Sequence, residues 1–166
     1  MNPTLLLLAA ALIPSWQDTG ATKAPATEHQ HQVEANGDKA MGFSHERTTH
    51  HFLLRPTGGV IQVTANARDD EESRGQIQTH LSHIAKMFAA GDFNTPMLVH
   101  SVTPPGTKTM TRLKSHIRYT YEPSPEGGRV VIETANREAL AATHEFLRFQ
   151  IQDHGTGDPL TVPSGK

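Results

Sequence analysis

Eleven histidines stand in a chain of 166 residues that contains no cysteine. Disulfides, zinc–thiolate sites, iron–sulfur clusters, c-type haem attachment and cysteine nucleophiles are therefore excluded. Imidazole and the methionine thioether are the soft-to-borderline donors that remain, and they suit copper or zinc better than magnesium or calcium. His80, His83 and Met87 follow one another at helical spacings of three and four, on one stripe of a helix. His45, His50 and His51 crowd the start of a strand-like run, where His50 shares the side of Phe52 and Leu54 while His51 points the other way. His144 lies on the same helical face as Leu140, Leu147 and Ile151, so it is expected to be buried and to need a partner. The expected metal ligands are thus His50, His51, His80, His83 and His144, with Met87 as an extra donor. Copper is the first choice and zinc the second.

The other histidines read differently. His29 and His31 form a His-x-His pair in a polar tract, His100 and His116 adjoin strand-like segments, and His154 sits at a helix end, where a cationic ring suits the dipole. Asp92, Glu133, Glu145, Asp153 and Asp158 lie near histidines in sequence, which leaves a His–carboxylate hydrolase or transferase as a further alternative. Glu145 and His144 are helical neighbours about 100° apart and do not form a dyad. No Gly-x-Ser-x-Gly elbow, Walker loop or dinucleotide-binding fingerprint occurs.

The elements that must position these groups show as a repeated pattern. Residues 50–66 (HHFLLRPTGGVIQVTAN) and 116–136 (HIRYTYEPSPEGGRVVIETAN) each run from a strand-like segment through a Gly-Gly turn to a β-branched segment and Thr-Ala-Asn. A helical pattern follows each. In the first, Asp69 to Glu72 mark the start, Ile77, Leu81, Ile84 and Phe88 form the apolar face, and Gly91 closes it. In the second, Asn136 is the N-cap and Gly155 the close. Both helices contain His-x4-Phe, which would make His83 and His144 equivalent and pair His50 with His116. Between the halves, Met97 to His100 reads as a short strand and Thr107 to Ser115 as a short helix. The expected fold is α+β: a duplicated β-β-α unit (about 50–92 and 116–158) giving a four-stranded, mainly antiparallel sheet with two long helices on one face. The other face is free to pair with a second copy as a homodimer.

At the ends, Leu5 to Ile13 is an apolar run too short to span a bilayer. It fits the core of a secretory signal peptide over residues 1–21. Residues 22–40 are polar and read as a flexible linker, 41–158 as one domain, and 159–166 as a disordered tail. After signal cleavage no stable membrane span is expected, and the protein would be periplasmic or secreted. A formal charge of −2 and 36% hydrophobic residues describe one small domain with no electrostatic bias toward nucleic acid.

Phe43-Ser44-His45-Glu46-Arg47-Thr48-Thr49-His50-His51-Phe52-Leu53-Leu54 resembles the opening signature of a family of small exported bacterial proteins without an established activity. Leu81-Ser82-His83-Ile84-Ala85-x-Met87-Phe88 with Gly91-Asp92-Phe93, and His144-Glu145-Phe146-Leu147-Arg148-Phe149-Gln150-Ile151, extend the resemblance over residues 41–158. It implies export and one intact domain. Members often carry the label aspartate carbamoyltransferase. This sequence lacks a Ser-Thr-Arg-Thr carbamoyl-phosphate loop and is too short for two α/β domains, so that activity is not expected. The reading that results is an exported, histidine-rich protein that binds, delivers or senses a transition metal. A non-catalytic, dimerising module with structural histidines is the alternative.

Overall fold

The computed structural model describes residues 27–164. The expected signal peptide 1–21, the first part of the linker and residues 165–166 lie outside the described residues.

The elements run α1 (Glu28–Met41), β1 (Thr48–Arg55), β2 (Gly58–Ala65), α2 (Glu71–Ala90), α3 (Asn94–His100), α4 (Thr107–Arg112), a 3-10 turn (Lys114–His116), β3 (Arg118–Ser124), β4 (Gly127–Glu133) and α5 (Arg137–Asp153). The strands form one antiparallel sheet in the order β1-β2-β4-β3. Phe52, Leu54, Ile61, Val63, Val130 and Ile132 present the inner face to α2 and α5, and with Ile77, Leu81, Phe88, Phe146 and Leu147 they make the core. The expected α+β fold is what the chain adopts.

Each long helix packs on the hairpin of the other half: α2 lies against β3 and β4, and α5 against β1 and β2. Glycine permits this close approach. A Cβ at Gly59 would stand 2.1 Å from Leu147 Cδ1, whereas one at Gly128 would meet Leu81 Cδ1 at 3.5 Å, an ordinary contact. α2 also reaches β2 of its own hairpin, so the two halves share one core.

The registers are symmetric about the pair Ile61–Val130, which sits at the centre of the β2–β4 ladder. His50 faces Val63 across β1–β2, and Tyr119 faces Ile132 in the corresponding place across β3–β4. His50 is therefore matched by Tyr119, not by His116, which is exposed in the 3-10 turn. The matched Leu81 and Leu147 contacts likewise set His144 against Gln78 and leave His83 opposite Phe149. The His-x4-Phe coincidence is out of phase with the packing.

Two segments depart from the expected elements. Residues 28–41 form α1 where a linker was expected. Thr27 accepts from Gln30 N at 3.3 Å, and its own N–H donates to Gln30 Oε1 at 2.8 Å, so a capping box starts the helix. Gly42, in the left-handed region, ends it. Only Val33 and Gly37 are buried along it, so the helix has almost no apolar stripe to reveal it. Met97 to His100 belongs to α3 rather than to a strand. Pro96 is tolerated there because it lies in the first turn, where its missing N–H has no helical partner to lose.

The tail is held in part: Arg148 Nε donates to the Leu160 carbonyl at 2.9 Å, and Val162 packs on the core. On the outer face, Arg118–Glu133 and Arg129–Glu122 pair across β3–β4 at 2.8 and 2.7 Å. The exposed large apolar side chains, among the described residues, are Met97, Leu98, Val102 and Leu160, none of them in a strand.

Gly59→Ala is expected to lower unfolding free energy by about 1–3 kcal/mol, because its methyl meets Leu147 and the Leu53 carbonyl. Gly75→Ala, in open space on α2, is expected to raise it by about 0.5–1 kcal/mol. Urea unfolding of the two variants reads both signs.

Candidate functional site: a histidine-lined cavity

A cavity of about 60 Å³ lies between the inner sheet face, α2, α3 and the end of α5. Four imidazoles line it: His50 on β1, His80 on α2, His100 at the end of α3 and His154 capping α5. Most of the remaining wall is apolar, and Met41 brings a thioether from α1.

The rings are held by stacking as well as by the chain. His50 and His154 lie nearly parallel, 5.8 Å apart between centroids. His100 meets His154 edge-on at 4.9 Å. Phe43 stacks on His50 at 6.0 Å and meets His80 edge-on at 5.5 Å, so one phenyl ring serves both.

Burial sets the charge state of this cluster. It pushes His50 down to about 4, helped by the neighbouring His80 and His51. Burial also takes His80 to about 4, with His83 adding to it, and His154 to about 3, with His50 and His100 adding to it. All three rings are neutral at neutral pH, as ligation requires.

His100 is held by a different device. Its Nδ1 lies 2.5 Å from Asp153 Oδ2, and Asp153 Oδ1 receives His29 Nε2 at 2.8 Å. Burial alone would raise the Asp153 carboxyl, but the hydrogen bonds from His29 and His100 hold it below the usual carboxylate range. His100 Nε2 lies 2.9 Å from Gln150 Oε1. One ring nitrogen of His100 thus faces the carboxylate and the other is engaged by the Gln150 amide.

Two buried polar atoms lack a partner at this site: His50 Nε2 and Gln150 Nε2. A third, the Tyr119 hydroxyl, is the counterpart of His50 in the other hairpin. Burial pushes that phenol above the usual tyrosine range. A buried polar group left without a partner costs about 1–3 kcal/mol.

Of the expected ligands, the cavity brings together His50 and His80 only. His51 turns to the other side of β1 and binds Asp158 Oδ1 through Nδ1 at 2.8 Å. His83 is exposed on α2. His144 Nε2 donates to the carbonyls of Arg55 and Gly58, at 2.9 and 3.0 Å, and clasps the β1–β2 turn. Met87 packs beside the core, where its sulfur accepts from Thr95 Oγ1 at 3.8 Å, and it does not line the cavity. These four are therefore not members of the cavity's donor set. Among the described residues, no group of three or more His, Asp or Glu is already set to hold a metal ion.

The residues missed were His100, His154 and Met41. His154 continues the stripe Leu147–Ile151 by three more residues and was legible as an inward ring. His100 was hidden by the strand reading of Met97 to His100, and Met41 by the linker reading of residues 22–40.

His100 and Asp153 form a His–carboxylate pair at a cavity, as an acid–base enzyme requires. Yet the distal nitrogen of His100 is engaged by Gln150, and the one hydroxyl on the wall is that of Thr95. No nucleophile stands against a free base. The chain matches no family model, no curated protein and no solved structure. No helix among the described residues is long and apolar enough to cross a membrane.

The lowered values of His50, His80 and His154 give a pH dependence. Each folded value lies below the ordinary 6.5, so the unfolded chain takes up protons first as pH falls. Stability is fully present above about pH 6.5 and is lost progressively toward pH 4. The urea midpoint is expected to drop between pH 7 and pH 4.5, and to drop less in His154→Phe. Asp153→Ala leaves the buried His100 ring without its hydrogen-bond partner and is expected to cost about 1–3 kcal/mol at pH 7, read by the same unfolding measurement.

Proposed function

We propose that the chain is a metal-binding protein without catalytic activity and that its histidine-lined cavity takes a soft transition-metal ion, Cu(I) foremost. The observation that carries this reading is the unpartnered His50 Nε2, buried beside other neutral imidazoles. Size favours an ion over an organic ligand, because pockets for drug-sized ligands run to about 300–1,000 Å³. The cavity is closer to 60 Å³, room for an ion or a few atoms. Chemistry favours a soft ion. The donors are imidazole and the Met41 thioether, with no carboxylate on the cavity wall. Cu(I) accepts two or three ligands, so His50 and His80 with Met41 or His154 would supply enough donors from the cavity wall.

The role is binding, delivery or sensing of copper in an exported compartment, which is where the leader-like run Leu5 to Ile13 points. The paired registers and matched glycine contacts support descent of the two halves from one β-β-α unit. On this reading only one half kept an imidazole at the shared position, and the other carries Tyr119. Self-association through the outer sheet face draws little support, since that face carries cross-strand ion pairs.

Anaerobic titration of the full chain with Cu(I) against a chromophoric chelator tests the reading. One equivalent is expected to bind and to raise the melting temperature with ligand concentration. The double variant His50→Phe, His80→Phe is expected to lose that shift, while His83→Ala and His51→Ala keep it. Retention in the double variant, or no binding at all, would overturn the cavity as a copper site.

A further inference from the structure

α1 rests on the body of the fold with little apolar contact. Of its 14 residues only Val33 and Gly37 are buried. Val33 lies outside the main core, and Met41 packs at the core's edge, half-buried. The helix runs along α3, and the ties between them are polar. At its first turn, His29 Nε2 stands 2.8 Å from Asp153 Oδ1. At its middle, Asn36 donates to the Val99 carbonyl at 3.2 Å and to the Ser101 hydroxyl at 3.4 Å. Elements with few buried apolar contacts open locally at a lower free energy than the core does.

The two bonds to Asp153 differ in what breaking them costs. The His29 side chain is 58% exposed and the His100 side chain 1%. When α1 lifts, water replaces the bond that His29 gives up. Lifting α3 would leave the His100 ring buried or stripped of its partner, which is dearer. Asp153 therefore lets go of α1 before it lets go of α3.

α1 also has a pivot and a weak point. Gly42 closes the helix at φ 80°, where glycine turns without the penalty a Cβ brings. Beyond it Phe43 is buried, stacked on His50 and edge-on to His80, so the chain is anchored just past the pivot. Gly37 weakens the helix from within. A Cβ there would meet Met41 Cε at 3.0 Å, the far end of a flexible side chain, so close packing does not demand a glycine.

We propose that α1 is a lid on the histidine-lined cavity, hinged at Gly42 and latched at Asp153. It swings away while the sheet, α2, α3 and α5 stay folded. The swing withdraws Met41 from the cavity wall and admits a ligand from solvent. The lid depends on the walls of the cavity and not on its occupant, so a failed Cu(I) titration would leave it standing.

The chain has no cysteine, so one introduced thiol reports the opening. Val99 lines the cavity on α3 and is 4% exposed, whereas Val130 is fully buried at the centre of the sheet. The full chain carrying Val99→Cys or Val130→Cys is labelled with a water-soluble aromatic disulfide over a range of urea concentrations. Val99→Cys is expected to react at least about tenfold faster, with a shallow urea dependence, because a local opening exposes little surface. Gly37→Ala is expected to slow Val99→Cys about fivefold, and His29→Ala or Asn36→Ala to speed it about fivefold. Gly59→Ala disturbs contacts that persist when the lid is open, so it is expected to speed Val130→Cys and leave Val99→Cys within about twofold. Equal rates with the same steep urea dependence would rule the lid out, since α1 would then leave only with the whole fold. A Val99→Cys rate indifferent to Gly37→Ala and His29→Ala would do so too, because it assigns the exposure to α3. Amide hydrogen exchange of the unaltered chain is the check without a thiol: protection of the amides from Val33 to Lys39 equal to that of β2 and β4 would count as the same refutation.

Discussion

One carboxylate holds the cover of the cavity together. Asp153, the last residue of α5, bonds His29 of α1 with one oxygen and His100 of α3 with the other. Three helices from distant parts of the chain therefore converge on a single side chain. Its neighbour in sequence, His154, contributes a ring to the cavity, so the clasp and the cavity wall are built by consecutive residues. Breaking this clasp is costly on the His100 side, because that ring is buried, whereas the exposed His29 ring would be rehydrated. Asn36 adds a weaker tie, its amide donating to the Val99 carbonyl on α3 at 3.2 Å.

The cavity is a balance between packing and polarity. Phe43, Phe52 and the sheet's apolar side chains exclude water from rings that water would otherwise solvate, and this keeps them uncharged. The same exclusion leaves His50 Nε2 and Gln150 Nε2 without partners. A core built for stability alone would carry apolar groups there, since a buried polar atom is tolerated cheaply only when it is paired. Tyr119 at the matching place in the second hairpin shows that the position accepts a ring with a polar tip, and that its surroundings differ in what they add.

How far the sequence could be read follows from periodicity. The two hairpins and the two long helices were legible because Gly-Gly turns separate strand-like runs and because apolar residues recur on one face of each helix. α1 was not, since it buries Val33 and Gly37 and little else; its stability comes from a capping box and from the clasp at Asp153, which are local and tertiary effects without an apolar stripe. The span of α3 resembles a strand in sequence because Met-Leu-Val is so short and apolar, and the Asp92 and Pro96 signals around it decide for a helix. The site was half legible. His50 and His80 follow from their faces, whereas His51, His83 and His144 satisfy local partners or solvent that no spacing reveals. His100 and Met41 needed α3 and α1 to be seen as helices first.

The strap formed by the chain after α5 also governs what the sheet can do with other molecules. Asp158 takes the outward N–H of Phe52 at 2.9 Å, with Thr156 bonded to the same oxygen, and so fills part of the open edge of β1. The opposite edge strand, β3, carries Pro123, which has no N–H to offer, and charged side chains at Arg118 and Glu122. Neither rim presents a clean ladder of donors and acceptors to an incoming strand. The fold is thereby guarded against growing by strand addition into fibrous or open-ended aggregates.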